Sequence, residues 1–224
     1  MTTPHNVFRV STPHKCWQCG QAVEGSLFCP ACNSLQPPPA DYYDLLGLER
    51  RLKLSADDLQ KRFYELSRQL HPDRFMRKSE TERQYSLDAS SILNDAYRAL
   101  KDPVKRAQYL LAQEGFDVGE QRSKDVPPEL LEEVFELNMA LEEMRSGNDS
   151  ARPQLEAAEK TFTNMQADVD QQLESLFEKY DEMRSRDVLA QIRGLLNRRK
   201  YILNLVDEVR KTLSPITHVP QPTI

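Results

Sequence analysis

The sequence predicts an all-α protein in two helical domains, preceded by a small metal-bound module, and three observations predict it. Glycine is scarce, at 7 of 224 residues, while charged side chains make up 29% of the chain. The long segments repeat their apolar residues at helical rather than alternating spacing. All four cysteines fall between residues 16 and 32. The length suffices for one or two buried cores besides the cysteine segment. We place the boundaries at 1–40 for the tail, metal module and proline-rich linker, 41–116 for the first helical domain, and 117–224 for the second and its tail.

Charge is unevenly spread along the chain, whose net charge is −5. Residues 116–224 carry 14 basic against 21 acidic side chains, whereas residues 41–115 carry 14 against 13. No segment has the basic excess of a phosphate-driven nucleic-acid binder. The acidic half suits a basic or apolar protein partner, and self-association through the acidic helices is compatible with it. Met1 to His14 has neither the apolar run of a secretory signal nor the Arg-rich amphipathic character of an organelle presequence. No stretch approaches the roughly eighteen apolar residues of a membrane span. A soluble, cytoplasmic protein without membrane attachment is expected.

Cys16-Trp-Gln-Cys19 and Cys29-Pro-Ala-Cys32 are two CxxC pairs nine residues apart. Each pair can aim two thiolates at one cation, and two pairs complete a closed tetrahedral site. The segment has few apolar residues (Trp17, Val23, Leu27, Phe28), so metal is expected to hold its fold. One structural zinc ion on Cys16, Cys19, Cys29 and Cys32 is the predicted cofactor. Mononuclear iron is the alternative, and a redox dithiol pair lacks the βαβ context such chemistry uses. Gly20 and Gly25 are placed to ease the turns. Pro37-Pro38-Pro39 then reads as a stiff, extended linker that separates this module from the first helical domain.

Asp41 to Gly47 reads as a short helix. Ser55 caps a longer one, with Asp58 three residues on in an approximate capping box. Leu59, Phe63, Leu66 and Leu70 share one face of that helix, with Lys61 and Arg68 opposite and Arg62 on the flank. Pro72 disfavours helical conformation at His71, so the helix stops there. An imidazole, a fixed turn and a carboxylate (His71, Pro72, Asp73) are thereby presented together at the tip of a helical hairpin. The returning helix, from about Ser79 to Leu100, aligns Tyr85, Ala89, Ile92, Ala96 and Ala99 toward the first arm. Asp102-Pro103 starts a further short helix that stops at Gly115.

Asp-Tyr-Tyr-Asp-Leu-Leu-Gly, a basic helix, His-Pro-Asp, then Ala96-Tyr97 and Leu100-Lys-Asp together resemble a J-domain. Ile92-Leu-Asn-Asp-Ala-Tyr-Arg-Ala-Leu-Lys-Asp-Pro and Arg106-Ala-Gln-Tyr-Leu-Leu-Ala-Gln-Glu-Gly-Phe resemble more narrowly the HscB family, co-chaperones of iron–sulfur cluster assembly. The likeness is close over residues 41–117 and architectural over the rest, and some members carry a paired-CxxC extension in front. It implies a helical J-domain with an antiparallel hairpin and a C-terminal three-helix bundle. It also implies that His71, Pro72 and Asp73 engage a DnaK-type ATPase and stimulate it, with Lys61, Arg62 and Arg68 docking on an acidic part of that partner. The chain itself has no phosphate-binding glycine loop and no nucleophile–base pair, so no enzymatic activity of its own is expected.

After a polar connection from Phe116 to Pro128, a helix is predicted from Glu129 to about Arg145. Leu130, Val134, Leu137, Leu141 and Met144 form an ordinary core stripe. Leu131, Phe135 and Met139 make a second stripe, turned well away from the first by the helical period, with Glu132, Glu136 and Glu143 beside it. Such a stripe is either covered by the first domain or left for a partner. The family resemblance places the surface for an IscU-type iron–sulfur scaffold on this helix, at Leu131, Phe135, Glu136, Met139 and Glu143. Glu132 and Met139 exchange polarity with the family pattern. Two long helices complete the bundle, with seven-residue seams at Leu155, Phe162, Val169, Leu176 and Met183, joined by Leu173 and Tyr180, and at Val188, Leu195, Ile202 and Val209, with Ile192, Val206 and Leu213 interleaved. The expected function is a co-chaperone that brings the scaffold to the ATPase. Two rivals are a general J-domain protein for unfolded clients and an iron-binding metalloprotein.

Overall fold

The structure, a computed structural model, describes residues 14–117 and 128–214. The expectations for Met1 to Pro13, most of the polar connection and the tail from Pro215 lie outside the described residues. The chain forms two compact units that divide at Leu110/Leu111.

Unit one begins with a two-stranded antiparallel ribbon, β1 (His14–Lys15) and β2 (Ala22–Val23), paired His14 with Val23 and Lys15 with Ala22. Four α-helices come next: α1 (Tyr42–Leu46), α2 (Ala56–Leu70), α3 (Glu80–Lys101) and α4 (Pro103–Gln113), the last crossing the division between units. Each start has a residue that explains it. Asp41 accepts from the Asp44 N–H, Ser55 from that of Asp58, and Ser79 from that of Glu82. Asp102 accepts from the N–H groups of Val104 and Lys105. These satisfy donors that the first helical turn leaves unpaired. Gly47, at φ 62°, closes α1 in the left-handed conformation that glycine takes without steric cost.

The α2–α3 hairpin packs through Leu59, Leu66 and Leu70 on one arm and Ser86, Ala89, Leu93, Ala96 and Leu100 on the other, all buried. Phe63 stacks on Tyr97 at 4.3 Å between ring centroids. The α3 stripe is therefore rotated from the predicted one: Tyr85, Ile92 and Ala99 are only half-buried flanks. Polarity misled the expectation, because Ser86 belongs to the core and supplies a hydrogen bond there. The linker expectation also changes. The cysteine segment is docked on α3: the Trp17 ring meets Tyr85 edge-on at 6.2 Å, and Leu35 is fully buried. Pro37 to Pro39 do not hold it away as a spacer.

Unit two is a three-helix bundle of α5 (Leu131–Arg145), α6 (Arg152–Met183) and α7 (Arg186–Leu213), with a 3₁₀ turn at Pro128–Leu130 before α5. Only Arg184 and Ser185 link α6 to α7, so the two run antiparallel. Arg184 takes the left-handed conformation at φ 52°, and Ser185 caps α7 by accepting from Asp187. Two ion pairs fix one register across the pair, Arg199 with Asp170 and Arg210 with Glu159. Arg145 ties α5 to Glu208 of α7.

The seven-residue seam of α6 holds at one end and drifts at the other. Leu155, Phe162 and Val169 are buried, but Leu176 is half-buried and Met183 is 60% exposed; Leu173, Phe177 and Tyr180 take over. In α7 the seam positions Val188, Ile202 and Val209 are all buried, and only Leu195 is half-buried, beside a buried Leu196. An α-helix of 3.6 residues per turn slips about 20° per heptad, which carries a strict repeat off the core over four repeats.

Candidate functional site

Three places collect the residues singled out from the sequence. The first is the tip of the α2–α3 hairpin. His71 ends α2 with φ −57° and ψ 129°, extended as Pro72 requires, and Pro72–Phe75 forms a 3₁₀ turn. The His71 Nδ1 accepts from the Asp73 N–H at 3.3 Å and lies 3.5 Å from Asp73 Oδ2. A nitrogen that accepts carries no hydrogen, which puts the imidazole N–H on Nε2, outward. The side chains of His71 and Asp73 are 58% and 79% exposed. Phe75 is buried and anchors the turn from beneath.

Of the predicted cations, Lys61 and Arg68 are exposed on α2, whereas Arg62 is half-buried with its guanidinium 3.8 Å from Glu65. Sequence reasoning passed over Arg74, Arg77 and Lys78, all exposed directly after the tip, and Met76 beside them. The run Arg-Phe-Met-Arg-Lys was the available signal.

The second place is the cysteine cluster. Each CxxC sits in a tight knuckle. The Gly20 N–H donates to the Cys16 carbonyl and the Asn33 N–H to that of Cys29, each at 2.9 Å. Gly20 and Asn33 hold matching left-handed conformations, φ 74° and 57°, four residues after the first cysteine of each pair. The knuckles face one another and all four Sγ atoms lie within 4.8 Å, with Cys16–Cys32 at 3.6 Å and Cys19–Cys29 at 3.7 Å. Four thiolates at about 2.3 Å from one ion stand about 3.8 Å apart at the corners of a tetrahedron, so the cluster could hold a metal ion as it stands.

Its electrostatics agree. Burial opposes ionisation of Cys16, but the Ser34 hydroxyl and the backbone N–H groups near Cys19 and Gln18 outweigh it and bring the thiol down to about 5. A backbone hydrogen bond at Gln21 favours the Cys19 thiolate, yet burial and the three neighbouring thiols outweigh it and push the thiol up to about 12. Sulfurs this close cannot all ionise without a cation between them. Ser34 Oγ lies 3.3 Å and 3.1 Å from the Cys16 and Cys32 sulfurs, and Gln36 Nε2 donates toward Cys16 at 3.4 Å. Both residues are buried; sequence reasoning missed them because no motif marks a donor to sulfur.

The third place is the outer face of α5. Leu130, Val134, Leu137 and Leu141 are buried, while Leu131, Phe135 and Met139 are 56%, 66% and 53% exposed. Glu132, Glu136 and Glu143 are exposed beside them. A groove of about 730 Å³ runs between α5 and α6, lined by Phe135 and Met139, the three glutamates, and Ala157, Ala158 and Thr161 of α6. Leu131 does not line it. Among the described residues no helix is long and apolar enough to cross a membrane.

A hairpin with an exposed His-Pro-Asp tip, joined in one chain to a separate helical bundle, defines a J-domain co-chaperone. Residues 41–109 match the DnaJ domain, and residues 126–210 match the HSCB C-terminal oligomerisation domain. The mouse iron–sulfur cluster co-chaperone protein HscB is 31% identical over 208 residues, covering 90% of this chain and 84% of the mouse protein. The crystal structure of human co-chaperone protein HscB is similar with a TM-score of 0.67 and 28% identity, over 91% of this chain and all of that one. Chaperone HscB from Vibrio cholerae gives 0.53 and 29%, over 76% and 96%. The chain belongs to the HscB family of iron–sulfur cluster co-chaperones.

Proposed function

We propose that the chain stimulates ATP hydrolysis by a DnaK-type chaperone and delivers an IscU-type iron–sulfur scaffold protein to it. The observation that carries this is the exposed tip: His71 and Asp73 are set in one geometry by Pro72 and a local hydrogen bond, with both side chains open to solvent. Lys61, Arg62 and Arg68, joined by Arg74, Arg77 and Lys78, offer an acidic ATPase surface a cationic track. The α5 face supplies the other docking surface, apolar at Leu131, Phe135 and Met139 and acidic at Glu136 and Glu143.

The chain works as an adaptor and not as an enzyme. Two surfaces on one polypeptide raise the concentration of scaffold near the chaperone and make the second encounter intramolecular. Zinc on Cys16, Cys19, Cys29 and Cys32 cross-links the two knuckles and supplies folding energy to a segment with little core. A four-thiol site that must stay reduced suits a reducing compartment, and our reading of it is the cytoplasm.

The test is steady-state ATP hydrolysis by a purified DnaK-type chaperone with the chain alone, the scaffold alone, and both. The reading predicts stimulation by the chain and a larger, more-than-additive stimulation with both. An ATPase rate indifferent to the chain would end it.

A further inference from the structure

We infer that Glu82 and Ser86, one turn apart on α3, are positioning residues for the His71–Asp73 tip, and that through Glu82 the tip senses whether the cysteine cluster holds its metal. This rests on the reading of the tip as the element that contacts the ATPase.

The connection begins at Leu70, the last residue of α2. Its carbonyl lies at a helix end, where intrahelical donors run out, and the Arg74 N–H is already given to the carbonyl of His71. Two hydroxyls from α3 supply what is missing: Ser86 Oγ donates to Leu70 O at 2.6 Å and Ser90 Oγ at 3.2 Å. Ser86 is fully buried. The backbone that enters His71 is therefore clamped to α3 by a side chain with no freedom to leave.

One turn earlier on the same face stands Glu82, 6% exposed. Its Oε2 accepts from the Ser79 hydroxyl at 3.2 Å in the helix-capping arrangement, and its Oε1 accepts from the Leu35 N–H at 3.4 Å. One of the two side-chain hydrogen bonds that keep this buried carboxylate supplied thus comes from the cysteine module. Leu35 is held in turn by the cluster's own surroundings. Its carbonyl accepts from Trp17 Nε1 at 2.8 Å, and its neighbours Ser34 and Gln36 are the residues against the sulfurs. Tyr85, between Glu82 and Ser86, carries the Trp17 ring.

With the metal gone, the knuckles have only a few apolar residues to hold them, and the Leu35 N–H is no longer fixed. Glu82 then sits buried with the Ser79 hydroxyl as its remaining donor, a costly state relieved by loosening the first turn of α3. Ser86 lies on the next turn, so its hold on Leu70 weakens with it. The tip keeps its residues and loses its fixed presentation.

The experiment is hydrogen–deuterium exchange on the full chain loaded with zinc and on the same protein after chelation. The decisive amides are Arg74 and Lys78, bonded within the tip to His71 and Phe75. In the wild type, removing zinc is expected to speed exchange at these amides about tenfold, beyond the loosening of residues 16–36. Glu82→Ala, loaded with zinc, should exchange fast at the tip and respond no further to chelation. Glu82→Gln keeps an acceptor oxygen for Leu35 and should behave as wild type. Ser86→Ala should loosen the tip with or without zinc while leaving residues 16–36 protected. Tip exchange unchanged by chelation in the wild type overturns the inference, as does a Glu82→Ala protein that still responds fully to zinc. The wild-type pair decides the matter alone if Glu82→Ala does not fold. ATPase stimulation measured in parallel separates the two claims: if no form of the chain stimulates, the function fails while exchange still reports on the coupling.

Discussion

At His71 the Nδ1 nitrogen accepts from the Asp73 N–H, which leaves Nε2 for the ATPase contact proposed above. Glutamine also carries an acceptor oxygen and an N–H₂ donor, but on a flexible open chain, so it does not hold the two in the fixed relation that the rigid imidazole ring imposes. His71→Gln is expected to leave the thermal midpoint and helical circular dichroism unchanged, since the side chain is exposed, and to return chaperone ATPase to its unstimulated rate. A variant that still stimulates normally would remove His71 from the mechanism. The residue-level site was legible wherever its parts are neighbours in sequence: the two CxxC pairs and His-Pro-Asp announce themselves by spacing. Ser34, Gln36, Glu82 and Ser86 did not, because a polar residue gains its meaning from partners 16 to 47 positions away. Nothing local distinguishes them from solvated surface.

Among the elements, the helices were readable from period and caps, and the details that shifted did so for geometric reasons. The drift of the α6 seam gives a direct check. Phe162→Ala should cost about 3–5 kcal/mol in denaturant unfolding, whereas Met183→Ala should stay within about 0.5 kcal/mol. Similar losses at both would restore the strict heptad. On α5, changing Leu131 and Phe135 together to Ala should raise the scaffold Kd at least about tenfold in calorimetry and leave basal ATPase stimulation intact. An unchanged Kd would move the docking surface elsewhere. The α1–α4 contact carries its own signature. Tyr109 donates to Asp41, accepts from the Tyr42 N–H and stacks on Tyr42 at 4.2 Å. Burial, with the Asp41 charge adding to it, pushes its phenol up to about 12 from an ordinary value of 10.0. The folded state thus holds that proton more tightly than the unfolded chain. The stabilisation is complete below pH 10 and fades as pH rises through 12. Tyr109→Phe should flatten that alkaline loss in pH-dependent melting; an identical profile would show that the phenol does not contribute.

For the molecule as a whole, the division of labour comes from composition. The unit bearing the tip is nearly charge-balanced, and the bundle is acidic with an apolar stripe on its outer helix. The proposed function asks only docking of each surface, and what the chain adds on that reading is the covalent link between them. An adaptor of this kind has a property that no single-site activator shares: in excess it separates the partners it joins, because each then binds its own copy. The direct measurement is scaffold-dependent ATPase stimulation at fixed, limiting chaperone and scaffold as the chain is titrated far past both. The account predicts a rise, then a fall once the chain exceeds its partners. A curve that climbs to a plateau and stays there would contradict it.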